Sequence, residues 1–195
     1  MNEPTPSIHD VIHTVFGGAF DESTGIRRRH VQQVEQDLRA YIPAEVDRYL
    51  TDDERTLLAA EREFAPDGAA CRALDAEVLL SALTGFIAPP YLASDLLLRR
   101  AQLNLAEALV GYVAHDLLHG YDTSCIRMEF QWALVKARNA LKRERRAQAA
   151  ERVLAKMSVQ DREHMERVIS RVTDHPSSTG PEIDGRQSTI HPSFE

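Results

Sequence analysis

The sequence predicts an all-α protein, an irregular multi-helix bundle of about six helices with a disordered C-terminal tail. Three observations carry that prediction. Leu, Ala, Glu and Arg, all good helix formers, dominate long stretches of the 195 residues. Apolar side chains recur at three- and four-residue spacings, the period of a helix face. No run of alternating β-branched residues marks a strand. The spacing divides the chain into an acidic segment over 1–22, one helical domain over 23–173 and a tail over 174–195.

Taken in order, a short helix is predicted over 8–16, ended by Gly17-Gly18. Ser23 or Thr24 then offers a cap for a longer helix. In that helix Val31, Val34, Leu38, Tyr41 and Ile42 fall on one face. Pro43 lacks a backbone donor, so the helix kinks or restarts there, and Val46, Tyr49 and Leu50 prolong the stripe. Thr51 to Glu54 form a capping-box pattern that opens a helix to about residue 64. The turn Ala65-Pro66-Asp67-Gly68 separates it from an apolar helix over 70–86, with Leu74, Val78, Leu79, Leu83 and Phe86 inward.

Pro89-Pro90 breaks that run. The next helix, 94–119, turns Leu98, Leu105, Leu109, Tyr112, Val113 and Leu117 to the centre of the core and stops at Gly120. With Asp122 or Thr123 as cap, a last long helix follows, carrying Ile126, Phe130, Ala133, Ala137 and Leu141. Its stripe fades through a basic stretch and returns at Val153, Leu154 and Met157. Ser158 caps a final helix with Met165, Val168, Ile169 and Val172 inward. Beyond Asp174 only Ile183, Ile190 and Phe194 are large and apolar, too few to offset the entropy of ordering.

Charge is unevenly placed. The chain carries 23 Lys and Arg against 30 Asp and Glu, a net charge of -7. Residues 1–22 and 51–70 each sum to -4, whereas 136–156 sum to +6. That average excludes a general nucleic-acid coat and leaves room for a local phosphate-binding or acid-binding patch. No apolar run reaches the ~18 residues of a membrane span. The opening MNEPTPSIHD lacks a cationic stretch leading into an apolar core. Two cysteines are too few for a disulfide framework. The expectation is a cytoplasmic protein without membrane association.

The most suggestive chemical motif occurs twice. His9-Asp10-Val11-Ile12-His13 and His115-Asp116-Leu117-Leu118-His119 share the form H-D-apolar-apolar-H. On a helix, residues four apart share a face, so each pair presents two imidazoles to one metal. Each pair is half a site, no cofactor is expected, and a protease would need H-E-x-x-H. At His119 a helix-terminal role beside Gly120 competes with ligation. No G-x-S-x-G elbow and no phosphate-binding glycine loop is present, and Cys71 and Cys125 sit in apolar stretches as small packing residues. Trp132 falls off the Phe130/Ala133 stripe and, if exposed, anchors a partner.

Two basic clusters remain. Arg27, Arg28 and Arg29 open the second predicted helix, where cations oppose the helix dipole. Lys142, Arg143, Arg145 and Arg146 fall within five residues of the last long one. Grouped guanidiniums suit phosphate or carboxylate oxygens. The alternative is a solvated helix face, with Glu144 and Glu151 relieving the charge. Residues 23–38, with Ser23-Thr24-Gly25-Ile26-Arg27-Arg28-Arg29-His30-Val31 at their head, resemble the opening helix of the core-binding domain of tyrosine recombinases. That family's catalytic arginines, histidine and tyrosine have no counterpart here. The resemblance therefore implies an accessory DNA-associated protein without recombinase activity.

Together these readings predict a non-enzymatic helical interaction protein acting through a macromolecular partner, protein or nucleic acid, with a second copy of the chain among the candidates. The alternatives are a small helical metalloprotein built on the paired histidines, and an enzyme whose site no spacing reveals.

Overall fold

The computed structural model describes residues 5–157 together with 160, 161 and 167. Among the described residues there are seven α-helices and no strand: α1 (Ile8–Asp21), α2 (Gly25–Glu45), α3 (Asp52–Phe64), α4 (Ala69–Ala73), α5 (Ala76–Phe86), α6 (Leu96–Tyr112) and α7 (Ser124–Lys156). A 3-10 turn, Val46–Arg48, follows α2, and a π-helical turn, Val113–Leu117, follows α6. The chain forms two compact units, 1–147 and 148–195. Most of the predicted final helix, including its inner face at Met165, Val168, Ile169 and Val172, and all of the tail lie outside the described residues.

In the first unit, α6 packs against α1, α2 and α5, so the helix expected at the centre is there. Leu103, Ala106 and Leu109 on α6 are buried, as are Leu79, Leu80 and Leu83 on α5. The predicted inner face of α2 is correct at all five positions. Thr51 and Glu54 make the predicted reciprocal capping box, and α3 runs to Phe64. Pro43 lies in the last turn of α2, after which the backbone tightens into the 3-10 turn. Tyr49 departs from its predicted stripe and is exposed, while Val46 and Leu50 are buried.

Three boundaries differ from the pattern. First, α1 continues through Gly17-Gly18 to Asp21. Glycine costs a helix about 1 kcal/mol relative to alanine but does not forbid it. Buried Phe16 and the core packing of Val15, Ala19 and Phe20 hold the extra turn. Second, the predicted 70–86 helix is two helices. Leu74 is extended, and the Asp75 carboxylate accepts from the amides of Glu77 and Val78 at 3.0 and 3.3 Å. The freed backbone groups pair with the start of the chain: the Ile8 amide donates to the Leu74 carbonyl at 2.9 Å, and the Ala76 amide to the Pro6 carbonyl at 3.2 Å.

Third, α6 begins at Leu96 behind an Asp95 cap and ends at Tyr112. The Leu118 amide then reaches back five residues to the Val113 carbonyl at 2.9 Å, widening the last turn. Where 87–95 crosses over α6, Gln102 is 2% exposed and ties the connection down. Its Nε2 donates to the Phe86 and Tyr91 carbonyls at 2.9 and 3.0 Å, and its Oε1 accepts from the Ala93 amide at 2.9 Å.

Candidate functional site

The charged and apolar residues of α7 are divided between two faces. Phe130, Leu134, Ala137 and Leu141, spaced at three and four residues, are buried. Arg138 and Glu144 bind back to α6. The Arg138 guanidinium grips the Glu107 carboxylate with bonds of 3.1 and 2.6 Å, and the Glu144 carboxylate accepts from Arg99 at 2.5 Å. Glu144 thus serves α6 rather than relieving its basic neighbours, as helix spacing alone had allowed.

The opposite face holds a second, exposed apolar stripe. Met128, Trp132 and Val135 are 60%, 74% and 54% exposed. Counting on at 100° per residue, the same face continues through Asn139 to Lys142, Arg143 and Arg146, with Arg145 to one flank. All four basic residues are exposed, and none makes an ion pair among the described residues. From Met128 to Arg146 the strip is about 27 Å long at 1.5 Å per residue. Trp132 is the chain's single tryptophan. Its fluorescence is therefore expected to be that of an indole in water, quenched readily by iodide. A blue-shifted, quencher-protected emission would place Trp132 inside and remove the stripe.

Farther along α7, in the second unit, Val153 and Leu154 are exposed, so the predicted return of a buried stripe there does not occur within this helix.

The first basic cluster is split by its neighbours. Arg28 lies over the Phe20 ring at 3.6 Å from its centroid, a cation–π contact that sets it against the end of α1. Arg27 and Arg29 line two adjoining hollows between α2 and α6, and no residue of the 142–146 cluster reaches either.

The histidine pairs do not converge on a site. His9 and His13 are exposed on α1, and the His9 Nδ1 faces the Arg39 guanidinium at 3.5 Å. The His115 Nε2 faces Arg127 at 3.3 Å, and the π turn takes His119 out of the helical register that four-residue spacing assumes. Among the described residues no three His, Cys, Asp or Glu side chains gather as a metal would need. Burial pushes the Cys71 thiol up from its ordinary range, the property of a packed thiol rather than a nucleophile. Among the described helices none is long and apolar enough to cross a membrane.

No protein-family profile, curated protein sequence or solved structure matches the chain. The recombinase likeness of residues 23–38 thus rests on its own residues alone.

Proposed function

We propose that the protein is a non-enzymatic interaction module that docks an acidic protein partner along the outer face of α7. The observation that carries this reading is the continuity of one exposed face, with Trp132 between Met128 and Val135 and unpaired Lys142, Arg143 and Arg146 beyond them. An aromatic flanked by apolar neighbours is the composition of an interface anchor, and the cations beyond it supply orientation. The complementary partner presents an apolar segment followed by carboxylates. Glu144 is turned toward Arg99 of α6 and off the outer face, where an acid would oppose the partner's charge.

The test is affinity capture with wild type and Trp132→Glu, followed by direct binding of the purified partner. Wild type retains a protein in near-stoichiometric amount, and the variant loses it while its thermal midpoint is unchanged. Equal capture by both would overturn the reading. Nucleic acid is the second reading, favoured by the unpaired cations alone. It predicts binding to duplex DNA with a slope of about -0.9 in log K against log salt for each phosphate neutralised. Replacing Lys142, Arg143, Arg145 and Arg146 with Gln would flatten that slope without loss of helicity, since Gln is a good helix former. We expect no such steep dependence. Finding it, with Trp132→Glu without effect, would transfer the surface to nucleic acid.

A further inference from the structure

Ten described arginines precede α7, and seven are neutralised or stacked. Six pair with carboxylates: Arg39, Arg48, Arg55, Arg62, Arg72 and Arg99. Arg28 covers Phe20. The three left over are Arg27, Arg29 and Arg100, and all three line the two hollows between α2 and α6. Arg27 of α2 and Arg100 of α6 line one hollow without carboxylate partners, and Arg29 lines the hollow beside it, an arrangement of guanidiniums suited to an anion.

The larger hollow, about 720 Å3, lies where the end of α1 and the starts of α2 and α6 meet. Arg27 comes from α2 and Arg100 from α6, with His30 beside them and Glu22 as the one carboxylate in its lining. Its floor is apolar, reaching the buried core at Val31 and Leu105. Ile26 and Leu97, 65% and 55% exposed, stand along its sides as large apolar side chains without cover. The smaller hollow, about 360 Å3, shares Ile26 and His30 and adds Arg29 and Asp95. The Asp95 carboxylate is already engaged, accepting from the Leu97 and Leu98 amides at 2.9 and 2.8 Å to cap α6. Volume, apolar floor and a few convergent polar groups together describe a small-molecule site.

We infer that this hollow binds a small amphipathic anion, its acidic head held by Arg27 and Arg100 and its apolar body against Ile26, Leu97 and Leu105. The site is separate from the α7 face and independent of its function. The chemistry is that of a carboxylate or phosphate on an acyl or alkyl chain, supplied either free or from a bilayer.

Calorimetric titration of the full chain with decanoate and with decyl phosphate, each kept monomeric, tests it. Inorganic phosphate and decyltrimethylammonium serve as controls. Both decyl anions are expected to bind at one per chain, with both controls much weaker. Arg27→Gln with Arg100→Gln should weaken the anions about tenfold or more, as loss of charge-assisted bonds implies. Leu97→Ser should weaken them by removing apolar cover. All three positions are exposed, so the fold is retained, and Arg100→Gln alone serves if the double variant loses helicity. Backbone amide shifts on titration should concentrate at 26–31 and 97–105. Retention by phosphatidylglycerol vesicles, lost in the double variant, assigns the anion to a bilayer, and monomer binding without retention assigns it to solution. The inference is overturned if neither anion binds, if the decyl cation binds equally well, if the arginine variants leave the affinity unchanged, or if the shifts fall elsewhere.

Discussion

Replacing Leu109 with Ala is expected to lower the unfolding free energy by about 2–5 kcal/mol, read as a fall in the urea midpoint at unchanged slope. Leu109 is fully buried on α6, the helix that α1, α2 and α5 all pack upon. Truncation removes the transfer energy of the lost methyl and methylene groups. It also leaves a void that helices held on several sides cannot close. A midpoint within experimental error of wild type would mean that α6 presents a different face to the core.

A loss of about 3–5 kcal/mol is expected for Gln102→Leu, although that change makes the residue more hydrophobic and nearly preserves its volume. Gln102 satisfies three backbone groups at once, the Phe86 and Tyr91 carbonyls and the Ala93 amide. Leucine satisfies none, and each buried polar group left without a partner costs about 1–3 kcal/mol. Urea unfolding measures the total, and amide exchange at Ala93 locates it. A loss below about 1 kcal/mol, with Ala93 still protected, would show that the connection holds itself without the side chain.

The difference between these two residues shows what a linear pattern reveals. Leu109 belongs to a three- and four-residue repeat, and repetition made the faces of α2 and α5 legible, with Leu105 and Leu109 of α6 and the capping box at Thr51 and Glu54. The buried face of α6 is turned toward Leu103, Ala106 and Val110, and leaves Leu98 and Tyr112 half-buried at its edge. Gln102 interrupts such a repeat, and only the path of residues 87–95 gives it a purpose. The Leu74–Asp75 break hid for a related reason, because both short helices keep the same apolar spacing across it. Asp75 in mid-pattern was the visible signal, an N-cap residue where a helix was supposed to continue.

The candidate sites divide in the same way. The basic run at 142–146 and the off-stripe position of Trp132 were readable one helix at a time. That Glu144 turns inward to Arg99 was not, since its partner lies 45 residues away. Arg100 could not be joined to Arg27 without knowing that the starts of α2 and α6 lie side by side. The Arg99-Arg100 doublet was the available clue. The histidine motif misled because i,i+4 geometry presumes an α-helix, and the second motif straddles a π turn.

The backbone pairing of Pro6 and Ile8 with Leu74 and Ala76 has a consequence for the order of events in folding. It joins positions nearly 70 residues apart. Closing a flexible loop of that length costs roughly 4 kcal/mol in chain entropy. Two hydrogen bonds, at about 1 kcal/mol each in net terms, cannot offset it. The surplus must come from Ile8, Val11, Ile12 and Phe16 entering the core behind them. The pairing is therefore a latch set by the docking of α1 and not the nucleus that recruits it. Once set, it aligns α1 in register with the α4–α5 corner, and its amides open to exchange only when α1 leaves the core.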